Sequence, residues 1–156
     1  ALLFEQGMSL DVDINGVLDA QGTSSAPVVF GSAAEIPSAG DWIGIYFWGP
    51  PVTESTLDNV RIEHAGADCS CVGFSCHSEV YDEFAAVLIL DWLPSQAFIT
   101  NSSFVSIAGH GVNRGWTSDK VPPDFTVTNT FTDVALCAQT LPKPETGQCP
   151  ETLPCP

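Results

Sequence analysis

The sequence predicts an all-β chain whose strands stack as the turns of a solenoid, on three observations. A degenerate repeat runs through its middle. Apolar and polar residues alternate with the period of strands. Finally, 12 Pro and 13 Gly interrupt nearly every candidate helix, and no amphipathic run of period 3.6 lasts three turns.

The repeat is carried by Leu57-Asp58-Asn59, Ile99-Thr100-Asn101 and Val127-Thr128-Asn129, an apolar-x-Asn pattern followed within three residues by Ile62, Phe104 and Phe131. Upstream stand Ile45, Val87 and Val112, each preceded by a small residue: Gly44, Ala86 or Gly111. Ile45 to Asn59 and Val87 to Asn101 are both 14 positions, and Val87 to Val112 is 25, the length of one rung. Ile45 to Val87 is 42, an excess of 17 that matches the length of Ala67 to Glu83, which reads as one inserted loop. Asn101 to Asn129 is 28, and the Pro-containing stretch Trp116 to Pro123 can hold the three extra residues. An Asn at a recurring turn position suits stacked rungs, because its amide can bond turn backbone and the matching Asn above or below.

The elements follow in order. Leu10, Val12 and Ile14 alternate with Ser9, Asp11 and Asp13 before the turn pair Asn15-Gly16. Phe125, Val127 and Phe131 alternate with Thr126, Thr128 and Thr130, predicting a last strand. The expected interior is Leu10, Val12, Ile14, Leu18, Ile45, Phe47, Leu57, Ile62, Ile99, Phe104, Val127 and Phe131. Cys137 to Pro156 holds five Pro and three Cys, as expected of a disulfide-tied coil covering a stack end; a linker to a further domain is the rival. The expected organisation is one domain over 1–136 with an inserted loop at 67–84, then a cap or tail over 137–156.

Several segments resemble right-handed parallel β-helix domains, pectate-lyase-like in fold, of large secreted or outer-surface bacterial proteins. They are Leu3-Phe4-Glu5-Gln6-Gly7 through Asn15-Gly16-Val17-Leu18-Asp19-Ala20-Gln21-Gly22-Thr23, then Pro27-Val28-Val29-Phe30, Gly40-Asp41-Trp42-Ile43-Gly44-Ile45-Tyr46-Phe47 and Leu57 to Gly66. The resemblance covers roughly residues 1–66 and 85–136 and implies a single-stranded right-handed solenoid of about four to five rungs. It implies no activity, because that family includes lyases, hydrolases, adhesins and domains without an assigned role. Two departures stand out: the chain starts about where a preceding rung would be expected, and it carries the Cys-rich insertion.

Charge and cysteines bound the function. Four Lys+Arg against 19 Asp+Glu give a net charge of −15, which repels nucleic acid. Six Cys (Cys69, Cys71, Cys76, Cys137, Cys149 and Cys155) predict disulfides and an extracellular, cell-surface or periplasmic location. No apolar run is long enough to span a bilayer and no signal peptide opens the chain, so a processed chain or a fragment is expected.

Candidate chemistry is sparse. Asp11 and Asp13 share a strand face at a separation of about 7 Å, suitable for glycoside hydrolysis but equally ordinary on an acidic surface. Asp19 lies past a turn and adds no second pair. Arg61, a candidate lyase base, stands beside Glu63 and reads as one half of a cross-strand surface ion pair. His64, His77 and His110 have no Gly-x-Ser-x-Gly partner, and His64 and His110 read as surface residues at turns. Cys71-Val72-Gly73-Phe74-Ser75-Cys76-His77 resembles a widened c-type haem attachment, and Cys69, Cys71, Cys76 and His77 suit Zn²⁺; the competing reading is a disulfide-pinned loop without cofactor. Thr126, Thr128, Thr130 and Thr132 form a row that neighbouring repeats do not extend, and Asn101-Ser102-Ser103 is a glycosylation sequon.

The sequence thus favours a non-catalytic extracellular structural or recognition module. It would self-associate or bind a protein partner through an open solenoid end, since the apolar strand Ala1-Leu2-Leu3-Phe4 would otherwise be an exposed edge. The alternative is a polysaccharide-binding or polysaccharide-cleaving protein with Trp42, Tyr46 and Trp48 in a groove; the third reading is a haem- or metal-bearing module at Cys71, Cys76 and His77.

Overall fold

A computed structural model describes residues 1–51, 53–67, 84–90, 92–116, 121–142 and 155–156. Among these, twelve strands form and no helix does: β1 Leu2–Phe4, β2 Ser9–Val12, β3 Asp19–Gln21, β4 Val28–Ser32, β5 Gly44–Trp48, β6 Thr56–Asp58, β7 Val60–Glu63, β8 Ala85–Leu90, β9 Ile99–Thr100, β10 Ser103–Ile107, β11 His110–Gly115 and β12 Thr130–Val134. They belong to three sheets, β1-β4-β7-β10-β12, β2-β5-β8-β11 and β3-β6-β9, and every strand pairing is parallel. The chain visits the first, second and third sheet in rotation through β11; only then, before β12, is the third sheet passed over.

The registers coincide with most of the sequence repeat. Leu10, Ile45, Val87 and Val112 lie side by side, as do Ala20, Leu57 and Ile99, and Phe30, Ile62, Phe104 and Phe131. The core is built from these columns, since strand pairing lays identical apolar positions over one another. Ile45, Leu57, Ile62, Val87, Ile99, Phe104 and Val112 are fully buried. Rings add directional contacts: Phe104 stacks on Phe131 at 4.7 Å, Phe4 on Trp42 at 4.2 Å, and Phe98 meets Phe47 and Phe125 edge-on. The 42-residue step from Ile45 to Val87 against the 25-residue step from Val87 to Val112 assigns the excess chain to the β7–β8 connection.

Two expected core residues are on the surface. Ile14 is exposed because β2 ends at Val12; Asp13 Oδ1 accepts the Ile14 N–H, Gly16 N–H bonds Asp13 O, and Asn15 takes φ 66°. Val127 is 78% exposed. Phe104 pairs with Phe131, 27 residues on, so a repeat aligned on Asn129, which sets Val127 against Ile99, is out of register by one; the observed step carried back from β12 sets position 127 against Thr100. Residues 125–128 are a bend and turn, not the start of a strand: Asp124 Oδ1 accepts both the N–H and the hydroxyl of Thr126. Only Thr130 and Thr132 of the threonine row stand on β12. Leu10, Val12, Leu18 and Phe131 are partly buried against the core, and Phe47 is buried.

The recurring Asn is likewise real at two positions of three. Asn59 (φ 51°) and Asn101 (φ 50°) both turn left-handed, but their amides meet on Asp58 rather than on each other. Asn129 is buried instead, accepting from Ser102 N–H and donating to the Ile99 and Phe125 carbonyls.

Candidate functional site

A polar corner runs along one end of the largest sheet. Extending its registers by one residue aligns Ser32, His64, Ser106 and Asp133, of which the last three have φ of 62°, 54° and 53°. Three non-glycine residues in left-handed conformation at one stacked position make a repeated bend, which the sequence hides because it shows no common residue type. Ser32 donates its hydroxyl to Asp41 Oδ2 at 2.6 Å, and Asp41 also accepts from the Ser38 N–H and hydroxyl. These bonds, the Ser32 one foremost, hold the Asp41 carboxyl below its ordinary range; His64 adds to the effect and burial opposes it. The residue types match a hydrolase triad, but the geometry does not: the Ser32 proton goes to a carboxylate that is a weakened base, and not to imidazole.

The predicted chemical residues scatter. Asp11 and Asp13 are exposed at β2 and just past it, and Asp19 opens β3. Arg61 and Glu63 pair at 2.6 Å, but within β7 rather than across strands, because residues two apart on one strand share a face. His64 is half-buried. His110 is not a surface residue: it lies fully buried at the start of β11 and its Nδ1 accepts the Cys137 N–H at 3.2 Å. Trp42 and Tyr46 are fully buried, Trp42 donating its indole N–H to Glu63 O, so neither can form a sugar-stacking platform; Trp48 is half-buried. Asn101 of the sequon is exposed. Cys137 and Cys155 form a disulfide. Cys69, Cys71, Cys76, His77 and Cys149, with the haem and Zn²⁺ readings that rest on them, lie outside the described residues.

The two ends of the strand stack differ in chemistry. At the C-terminal end, residues 137–140 bond along β11: Gly111 N–H to Cys137 O, Val112 N–H to Ala138 O, and Thr140 N–H to Val112 O. Arg114, fully buried, donates to the carbonyls of Thr140, Val121 and Pro123. Desolvation lowers its pKa and Asp124 partly restores it. Asp124 also accepts from Gln139, whose Oε1 takes the Phe125 N–H. A cavity of about 420 Å³ opens beside this network, lined by Asp124, Thr126, Leu136, Gln139 and the Cys137–Cys155 bridge. β12 also ends its sheet, with polar Thr130, Thr132 and Asp133 exposed.

At the N-terminal end, β1, β2 and β3 are each the last strand of their own sheet among the described residues, so all three sheets terminate within residues 2–21. A parallel strand bonded on one side directs half of its backbone N–H and C=O groups outward. This end is apolar as well: Leu2, Leu3, Met8, Ile14 and Val17 are exposed, from 44% for Val17 to 60% for Leu3. These are five of the ten large hydrophobic residues exposed among the described residues, of which residues 1–17 make up about a seventh. The chain matches no family model, no curated protein and no solved structure. No helix among the described residues is long and apolar enough to cross a membrane.

Proposed function

We propose that this chain is a right-handed parallel β-helix that serves as a non-catalytic recognition or structural module outside the cytoplasm, docking a protein through the open edge of β1, β2 and β3. One observation carries the reading: β1, β2 and β3 are each the last strand of their sheet among the described residues, with exposed Leu2, Leu3 and Met8 beside them. Strand addition at such an edge gains main-chain hydrogen bonds and apolar burial together. The rotation of the chain through three parallel sheets supports the winding, with its right hand following the general rule for parallel crossovers. The Cys137–Cys155 bridge supports an oxidising compartment. The burial of Trp42 and Tyr46 weighs against the polysaccharide alternative.

Hydrogen exchange on the isolated chain, with its mass in solution measured in parallel, tests the docking end. A monomer whose β1–β3 amides exchange orders of magnitude faster than those of β8 is expected. Equal protection of β1–β3 and β8 in a monomer would overturn the reading, because the edge would then be covered already.

A further inference from the structure

We infer that Arg114 and Trp116 hold a small inorganic anion of the chloride type inside the C-terminal end of the strand stack, because both side chains are buried and keep donor groups with no acceptor among the described residues. The site lies at the other end of the stack from β1, β2 and β3 and is independent of what docks there. Val112, Arg114 and Trp116 alternate along β11 and one residue past it, so they share a face. Val112 pairs with Val87 and Arg114 with Ile89, both core residues, so that face looks into the stack. Arg114 therefore ends the interior column of Val12, Phe47 and Ile89 with a cation. Its exposure is 0% and that of Trp116 is 1%, and the guanidinium carbon lies 6.0 Å from the centre of the Trp116 ring. Arg114 Nε donates to Thr140 O, and Nη1 to Val121 O and Pro123 O, but neither Nη2 nor Trp116 Nε1 has a hydrogen-bond partner. Guanidinium and indole nitrogens are donors only, so neither group can satisfy the other. Buried polar groups almost always find a partner, and an unmatched one points to a water or an ion. A water would bring two hydrogens of its own in need of acceptors, whereas an anion accepts from every side and offsets the charge. The carbonyls around the guanidinium are neutral, and Asp124 acts on it through charge while its Oδ1 accepts from Thr126 and Gln139. Full burial of both side chains favours a monatomic ion over a bulkier organic acid.

The probe is chloride, exchanged for gluconate at constant ionic strength so that general screening stays the same. Urea unfolding of the intact chain gives the folded-to-unfolded ratio, which for one site rises about tenfold with each tenfold increase in chloride above its dissociation constant. That rise is expected in the wild type. In Trp116→Phe, which keeps a ring but lacks the N–H, its onset should move to chloride at least about tenfold higher, as loss of one hydrogen bond to a charged group requires. In Arg114→Met the dependence on chloride should vanish; if that variant does not fold, Trp116→Phe carries the test. Crystals grown from chain refolded in bromide give the place, with an anomalous scattering peak expected in contact with Arg114 Nη2 and Trp116 Nε1. No chloride dependence in the wild type would overturn the inference and leave a water at the site. The same dependence in the wild type and both variants, or a bromide peak elsewhere with none at Arg114, would mean an adventitious ion only and overturn it too. A carboxylate of the chain itself found against Nη2 would also overturn it, since the acceptor would then be internal.

Discussion

Arg114→Met tests whether the buried guanidinium holds the C-terminal end of the stack together. Arg114 is fully buried, and it ties β11 to two further pieces of chain through the carbonyls of Thr140, Val121 and Pro123. Its bond to Pro123 is long at 3.3 Å, so the two charged hydrogen bonds to Thr140 O and Val121 O dominate. At about 1.5–3 kcal/mol each they supply about 3–6 kcal/mol, and methionine would fill similar space while leaving those acceptors without a donor. Against this stands the relief of removing a desolvated charge, whose effective penalty is several kcal/mol before compensation. The expected net loss is about 2–4 kcal/mol, because the carbonyls stay buried whichever side chain stands there. Arg114→Lys should not rescue it, since a single ammonium cannot present a planar fork to separate carbonyls. Urea unfolding gives the magnitude through a shifted midpoint at constant slope. Hydrogen exchange gives the location, with protection lost first at residues 110–116 and 137–141. Unchanged or increased stability in Arg114→Met would refute the reasoning, showing that desolvation outweighs the bonds.

Three further outcomes are expected. Gly44→Ala should destabilise by about 2 kcal/mol or more and be measurable by urea midpoint, because φ at Gly44 is 153° and an added Cβ would lie 2.5 Å from Ala85 O and 2.8 Å from Ala86 O on the neighbouring strand. Stability should fall on acidification below the ordinary carboxylate pKa of about 3.9. The reason is that Asp41, Asp58 and Asp124 are all held lower in the folded chain, so their contribution is complete above the unfolded value and lost as pH falls through the folded one. Thermal melts of Asp41→Asn against pH should show a shallower acid limb, and an unaltered limb would remove Asp41 from the account. Val127→Ser should change stability by less than about 0.5 kcal/mol whereas Phe104→Ala should cost about 3–5 kcal/mol, since Val127 is 78% exposed and Phe104 is fully buried against the Phe131 ring. Chemical denaturation of the two variants compares them directly, and similar losses would restore the register aligned on Asn129.

The sequence by itself determined the strand-rich, helix-free character of the described residues and the positions of the central columns. Ile45, Val87 and Val112 could be aligned from spacing because parallel pairing superimposes like residues and one insertion accounts for the 42-residue step against the 25-residue step; the earlier steps, 35 from Leu10 to Ile45 and 32 from Phe30 to Ile62, follow no single period. Spacing failed where turns, not strands, set the count. At Asn129 a matching residue type led to a slip of one, and in a sheet a slip of one reverses every side chain. At Ile14 the apolar alternation outlasted the strand because Asp13 turns the backbone first.

What only the tertiary structure decided is everything that depends on which end of the stack a residue occupies. The aromatic pattern of Trp42 and Tyr46 is compatible with a surface platform or a core; packing buried both. His110 carries the same turn-like neighbours as His64, yet the backbone of residues 137–140 laid along β11 encloses it. Arg114 belongs to a strand position that in the preceding turn is Ile89, and the carbonyls of Thr140, Val121 and Pro123, together with the Asp124 carboxylate, make a cation tolerable there. That β1, β2 and β3 each end a sheet among the described residues is not visible in the sequence, because an edge is defined by the absence of a neighbour, and neighbours in a parallel stack are 25 or more residues away in the chain.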